Sequence, residues 1–216
     1  PGVVSIYVTG RNLDHLAARA GQFFNLRLLT VDGWWRAHPF SLSAAPNGRF
    51  LRFTVKDLGD WTGGRLQRLP LGTKVVLEGP YGILTGARRT RPRVLLVAGG
   101  VGITPLRALL EALPARPGDL TLVYRARSPE EVVFRDELDA IARVRGATVH
   151  YVIGRRGSPG IGPEPLGPEA ILRHVPDVRE RDVYLCGPRS MMDAAERSLR
   201  RLGVPRSQVH LERFNH

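Results

Sequence analysis

The sequence is poor in cysteine and in lysine. Cys186 is its one cysteine, which excludes an intrachain disulfide and any four-thiolate zinc or iron–sulfur centre built from this chain alone. Six histidines are scattered without an HxxxH pair, so spacing predicts no metal site. Long apolar runs are lacking too: the longest, Val94 to Ile103, is broken by glycines and falls far short of the ~20 residues that span a bilayer. Lys56 and Lys74 are the only lysines among 32 basic residues, and the net charge is +12. Up to Pro92 there are 13 basic and 5 acidic residues, a surplus of +8, against 19 and 15 in the remainder. Such a field favours anionic partners: phosphates, acidic electron carriers or lipid headgroups. Nucleic acid is a weaker fit, because no helix-turn-helix, finger or aromatic RNA-binding signature accompanies the charge. The chain opens on Pro1 without a signal peptide, the expected aspect of a piece of a longer polypeptide.

At 216 residues with 43% hydrophobic content, the chain can fold as one large or two small domains. Its first part reads as short strands: Val3 to Thr9, Gln22 to Leu29, Ala37 to Ala44, Phe50 to Lys56 and Thr73 to Leu77, with a short helix from Gly63 to Leu69. Asn47-Gly48 between two of them is a hairpin signal. Short strands without long helical patterns predict a small antiparallel β-barrel or sandwich. After Pro92 strands alternate with helices. Strands are expected at Arg93 to Ala98, Asp119 to Arg125, Ala147 to Ile153, Asp182 to Cys186 and Gln208 to Glu212. Helices are expected at Pro105 to Leu113, Glu131 to Arg143, Pro168 to His174 and Ser190 to Leu202. This rhythm predicts a parallel α/β sheet of Rossmann-like type. The boundary is drawn at Arg88 to Pro92, giving domains 1–90 and 91–216.

The stretch RVLLVAGGVGITPLRALL places Gly99, Gly100 and Gly102 between a buried strand and a helix. Thr104 suits an N-cap and Pro105 the first helical position. Glycines there let a backbone approach an anion closely, and a helix N-terminus offers free N–H groups. These are the requirements of a dinucleotide pyrophosphate site, although the spacing is not GxGxxG. A tight turn without a ligand is the alternative. Arg125 closes the next strand, and Arg155 and Arg156 follow the third. Guanidinium groups at adjacent strand ends suit a 2′-phosphate, with Arg155 the strongest candidate. The alternative is surface arginine in an arginine-rich chain.

Two domains in this order, with these motifs, resemble the ferredoxin–NADP reductase superfamily, and most nearly the dehydrogenase domain of ferric reductases and NADPH oxidases. His38-Pro39-Phe40-Ser41 resembles the HPF[ST] flavin motif, Gly59-Asp60-Trp61-Thr62 its GxWT loop, and Gly79-Pro80-Tyr81-Gly82 the turn closing the barrel. AGGVGITP, Cys186-Gly187-Pro188 with Met191, and Glu212-Arg213-Phe214 resemble the pyridine-nucleotide half. The likeness runs from Val3 to Phe214. It implies FAD on the barrel and NADPH on the sheet, with NADH as the lesser donor. It implies that Phe40 packs on the flavin, that Ser41 lies near its N5, and that His38 and Thr62 with the Gly59–Thr62 backbone hold its phosphates. Most soluble relatives have arginine where His38 stands, so Arg36 or Arg52 is the expected substitute. The resemblance also places Cys186 and Glu212 by the nicotinamide, makes Phe214 the aromatic lid over the flavin, and puts one more strand upstream of Val3, without which the barrel has an open seam.

The implied activity is transfer of hydride from NADPH to FAD followed by single-electron transfer to an acceptor. That acceptor is expected to be haem in a membrane domain preceding this chain, which would sit at the cytoplasmic face. A soluble reductase for ferredoxin, flavodoxin or free flavin is the first alternative, and a flavin-holding sensor without turnover the second.

Overall fold

The computed structural model describes residues 2–30, 35–56, 66 and 68–213. Five strands build the first half: β1 (Val3–Val8), β2 (Phe23–Leu28), β3 (His38–Ser41), β4 (Leu51–Lys56) and β5 (Val75–Tyr81). β1 pairs antiparallel with β4, and β2 lies between β3 and β5. The two sheets join where Leu42 bridges Phe53 and the Ser43 N–H donates to the Arg52 carbonyl. Phe24, Leu26, Leu28, Leu42, Leu51, Phe53 and Val55 fill the space between them. Among the described residues β1 pairs only with β4 and β5 only with β2. The barrel is therefore open between β1 and β5, the seam expected from the sequence.

The second half is a parallel sheet in the order β10-β9-β6-β7-β8. Its strands are β6 (Arg93–Gly99), β7 (Leu120–Ala126), β8 (Thr148–Ile153), β9 (Arg181–Cys186) and β10 (Val209–Leu211). Helices α1 (Ile103–Ala112) and α2 (Arg135–Arg145) cover one face; α3 (Pro168–His174) and α4 (Arg189–Arg201) cover the other. β6 explains why its sequence shows no alternation. Val94, Leu96 and Ala98 pack under α1, while Leu95 and Val97 pack under α4, so every position after Arg93 is buried.

Three local expectations are corrected. Asn47-Gly48 does not form a two-residue hairpin: only Gly48 has positive φ, whereas the primed turn needs it at both positions. Instead Asn47 Oδ1 accepts the N–H groups of Arg49 and Phe50 at 3.0 and 3.1 Å, shaping a wider loop. Thr104 is not an N-cap. A 3-10 turn, Gly100–Gly102, runs straight into α1, and the Thr104 hydroxyl donates back to the Val101 carbonyl at 2.9 Å. Pro105 accordingly sits at the third helical position. α2 starts at Arg135 rather than Glu131, because Phe134 takes left-handed φ of 64° immediately before it. The Gly63–Leu69 helix falls largely outside the described residues.

The connection between the halves is anchored on one carboxylate. Asp182 of β9 is fully buried. It accepts the Thr90 and Arg91 N–H groups and the Thr90 hydroxyl, and lies 3.1 Å from His210 Nε2. Tyr184, two residues along β9, donates its hydroxyl to the Thr85 carbonyl at 3.1 Å. Removing the carboxylate strands buried donors. Asp182→Ala is expected to lower unfolding free energy by about 3 kcal/mol, read from urea denaturation midpoints at constant slope. An unchanged midpoint would remove Asp182 as the anchor.

Candidate functional site

All five parallel strands end at one edge, in register. Gly99 lies opposite Arg125, Ala126 opposite Ile153, Ala98 opposite Cys186, and Leu185 opposite Leu211. The sequence-predicted residues at these ends are thereby brought to one rim.

The three elbow glycines are small for different reasons. A methyl on Gly99 would lie 2.3 Å from Met191 Sδ, and one on Gly102 would lie 2.3 Å from the Cys186 carbonyl oxygen. Both are therefore demanded by packing of the elbow against the Cys186-Gly187-Pro188 turn and α4. Gly100 differs: its φ is +53°, and a methyl there would meet nothing within 4 Å. It is the one elbow glycine facing open space, the cradle an anionic group needs. Tyr124 holds it there. Its buried hydroxyl donates to the Gly100 carbonyl at 3.2 Å and accepts the Val133 N–H.

Beside the elbow lies a cavity of about 800 Å³, lined by the loops after β7 and β8 and by α4. Arg125, Arg127, Arg155, Arg156, Arg197 and Arg201 line it against two carboxylates, Glu131 and Glu164. Arg155 and Arg156 are exposed at its wall. Arg125 is placed differently from the sequence expectation. Its guanidinium donates to the carbonyls of Ala126, Val152 and Gly154, so it clips β7 to β8 and is a poor phosphate ligand. Sequence reasoning missed Arg197 and Arg201. The helical spacing of Ser190, Ala194, Arg197 and Arg201 was the available signal, since it places all four on one face of α4.

On the barrel side, β3 carries its motif along β2. Ser41 is buried, with Phe23 opposite, and Phe23 in turn faces Tyr81 with ring centroids 5.6 Å apart. Phe40 is half-buried against the barrel core, its ring near-parallel to that of His38 at 6.3 Å. Pro39 is exposed. Burial, and then the Arg36 charge, hold the His38 imidazole below its ordinary pKa, so it is neutral at pH 7 and offers a phosphate a hydrogen bond rather than a charge. Arg52 does not serve as the substitute: it is buried and bonded to Ser43 and Glu137. Gly59, Asp60, Trp61, Thr62 and Phe214 lie outside the described residues.

The two halves touch at Glu212. A methyl on Gly82 would lie 2.6 Å from Glu212 Oε1 and 3.1 Å from Phe23 Cδ1, so this glycine admits the carboxyl group. Glu212 Oε2 is buried with no hydrogen-bond partner among the described residues. Burial raises the Glu212 pKa to about 7. Burial, and then the nearby Glu212 charge, push the Cys186 thiol well above its usual range, so it is a packed, protonated thiol and no nucleophile. An open glycine cradle beside an arginine-lined cavity is what a bound dinucleotide requires, and the residues there fit that group.

The chain matches the family model described as FAD-binding domain over residues 3–85 and the oxidoreductase NAD-binding domain over residues 96–197. It is 32% identical to ferredoxin–NADP reductase B of Sorangium cellulosum, across 91% of this chain and 85% of that protein. It is 36% identical to a flavohemoprotein of Pseudomonas aeruginosa, across 92% of this chain and 51% of that one. The chain spans about half the length of this flavohemoprotein and of the glycine betaine monooxygenase reductase subunit of Chromohalobacter salexigens, which is 32% identical. Among solved structures, a ferredoxin NADP+ reductase from Neisseria gonorrhoeae with bound FAD and NADP superposes with a TM-score of 0.77. It covers 98% of this chain and 92% of that one; at 19% identity this speaks for the fold alone.

Glu212 offers a test of the cleft's dryness. A carboxyl whose folded pKa is raised from the usual 4.5 to about 7 contributes most at low pH, and that contribution is lost as pH rises through 7. Glu212→Gln is neutral throughout. It is expected to match the parent near pH 4.5 and exceed its stability at pH 8 by on the order of 1–2 kcal/mol, discounted for partial solvent access. Equal differences at both pH values would show that the carboxyl does not titrate in this range.

Proposed function

Because the chain belongs to the ferredoxin–NADP reductase family, with an FAD-binding and an NAD(P)-binding domain, we propose that it takes reducing equivalents from NADPH and passes them singly to a protein-bound acceptor. The observation that carries this reading is Glu212. It rises from the nucleotide half beside Cys186 and lies against Gly82 of the barrel, a contact that supports one shared site between the halves. The two cofactors would supply the redox chemistry itself, hydride transfer and its division into single electrons, once held by these residues.

The chain's own residues bind, orient and exclude water. Gly100 and the α1 N-terminus receive the nucleotide pyrophosphate. Arg155, Arg156 and Arg127 receive the 2′-phosphate, and this supports NADPH over NADH. Arg197 and Arg201 add to the same field from α4. His38, with the Gly59–Thr62 loop, holds the flavin phosphates, Phe40 packs on the ring system and Ser41 approaches its reactive nitrogen. Cys186 and Met191 would line the floor for the nicotinamide, Gly187 and Pro188 turn the chain there, and Phe214, outside the described residues, would be the aromatic cover of the flavin. No general acid or base is assigned, since hydride transfer between these groups moves no proton from the protein.

The acceptor is the broader class, haem or an iron–sulfur carrier. The flavohemoprotein and ferredoxin–NADP reductase relatives support that breadth. The upstream membrane haem domain implied by the ferric reductase resemblance is one form of it. Among the described residues no helix is long and apolar enough to cross a membrane. The surplus of +8 in the front part would steer an acidic acceptor surface toward the barrel.

The decisive experiment is anaerobic. The FAD-reconstituted chain is mixed with NADPH, and the flavin absorbance is followed before and after adding a haem protein, a ferredoxin or free flavin. Bleaching by NADPH with reoxidation by one of the protein acceptors is expected; failure to bleach identifies a non-catalytic flavin module. Arg155→Ala is expected to raise the KM for NADPH about 10-fold with little change for NADH, as loss of one charge-assisted phosphate contact implies. Equal effects on both nucleotides would take Arg155 out of the 2′-phosphate site. His38→Ala is expected to lower FAD retention on dilution, measured as the flavin-to-protein absorbance ratio after gel filtration.

A further inference from the structure

The barrel and the nucleotide half are joined by a circuit of two buried arginines and two part-exposed glutamates. Arg52 of β4 is 6% exposed. Within the barrel its Nε donates to Ser43 Oγ at 3.0 Å, and one terminal nitrogen donates to the Ser43 carbonyl. Its other terminal nitrogen crosses to Glu137 Oε2 of α2 at 2.9 Å, and its guanidinium carbon lies 4.9 Å from the centre of the Phe134 ring. The same Glu137 oxygen accepts Arg107 Nε of α1 at 2.9 Å, and Arg107 is itself 6% exposed. Arg107 also binds Glu111 Oε2 at 2.6 Å, and that oxygen accepts the Ala45 N–H at 2.8 Å, back in the barrel. The circuit closes: Ser43, Arg52, Glu137, Arg107, Glu111, Ala45.

Its two ends are informative. Ser43 and Ala45 lie two and four residues beyond Ser41, on the continuation of β3. Arg107 and Glu111 lie on α1, whose N-terminus is the glycine elbow. The circuit therefore ties the strand that presents the flavin motif to the helix that presents the nucleotide cradle. On the barrel side it is stiffened by a hydroxyl relay, with Ser43 Oγ 2.8 Å from Thr54 Oγ1 and that atom 2.8 Å from Ser5 Oγ. Two arginines this deep are retained at a desolvation cost that hydrophobic residues would not incur, and fixing one geometry is the use best attested for such groups.

We propose that Arg52 and Glu137 are positioning residues which set the distance between the nicotinamide and flavin rings. This deepens the functional reading above and rests on it. Donor and acceptor atoms must lie about 3–3.5 Å apart for transfer, and displacements of ~1 Å are felt steeply in rate. A guanidinium fork locks both directions of approach; a lysine keeps the charge and loses the fork.

The test compares the full-length chain with Arg52→Lys and Glu137→Gln, each reconstituted with FAD. Three properties are expected to stay within two-fold of the parent: the flavin-to-protein ratio, the affinity for 2′,5′-ADP by titration calorimetry, and fluorescence quenching of bound flavin. Flavin reduction by NADPH in stopped flow is expected to fall at least 10-fold, with loss of the long-wavelength charge-transfer absorbance of the stacked rings. In the cofactor-free chain, hydrogen exchange at the Ser43 and Ala45 amides is expected to speed up at least five-fold. Reduction within two-fold of the parent with full charge-transfer absorbance overturns the proposal, as does unchanged amide protection. If Arg52→Lys does not fold, Glu137→Gln carries the test alone, because it keeps the Arg107–Glu111 pair. If the parent itself is not reduced by NADPH, the functional reading fails instead, and the exchange measurement still decides whether the clasp couples the halves.

Discussion

Parallel register at one sheet edge is the constraint on which the site depends. Strands that all run the same way must all end on the same side, and right-handed crossovers bring the chain back to begin again. Gly99, Arg125, Gly154, Cys186 and Glu212 are spread over more than a hundred residues, yet each follows or closes a strand at that side. None of them needs a contact in sequence with another. One parallel sheet collects a glycine elbow, a backbone-bound guanidinium, a neutral thiol and a half-buried carboxyl group along a single rim.

A rim alone binds a nucleotide; a reaction needs a second ring held against it. Besides the apolar packing of Ala20 and Leu84 on the α/β core, three further sets of contacts among the described residues hold the barrel to the sheet, and they differ in chemistry. At the base of the sheet, buried Asp182 captures backbone donors of the connecting segment. In the cleft, Glu212 fits against Gly82 where no side chain intervenes. Along one flank, the Arg52–Glu137–Arg107–Glu111 circuit runs from β4 to α1. The first and third are polar and directional, so they define an angle as well as a contact. A purely apolar interface of similar area would hold the halves together and leave them freer to slide.

Much of this was legible in the sequence. Continuous apolar strands after Pro92, helical spacing between them, and the shift from period two gave the α/β half almost element by element. The elbow and the Cys186-Gly187-Pro188 turn pack against each other at the sheet edge, as their positions at strand ends imply. What stayed hidden was hidden for physical reasons. Thr104 and Pro105 have the right residue types for a helix start, but the preceding glycines already wind a 3-10 turn, so the helix begins earlier. Asn47-Gly48 has the right dipeptide, but the Asn47 side chain caps backbone N–H groups and opens the loop. The Arg52 circuit joins residues up to 85 positions apart, and no local pattern records such a pairing.

The arginine count misleads in a related way. A surplus of +12 suggests a uniformly cationic surface, yet many of these groups face inward and bond to carbonyl oxygens. Arg89 gathers the carbonyls of Arg91, Pro92 and Pro114; Arg125 gathers those of Ala126, Val152 and Gly154; Arg145 gathers those of Glu111 and Leu113. Arg181 reaches Val94, Asp119 and the hydroxyl of Thr121 from inside the sheet. Carbonyls at strand ends and helix C-termini lack partners within their own element, and a planar fork of five donors satisfies several at once where an ammonium group cannot match the geometry. That is a physical reason for 30 arginines beside 2 lysines. Cations facing solvent are spread over both halves, but at the cavity behind the glycine elbow Arg127, Arg155, Arg156, Arg197 and Arg201 converge. Net charge alone therefore does not locate the pocket that would take a nucleotide phosphate. The decisive quantity is how many guanidinium groups the backbone has not already claimed.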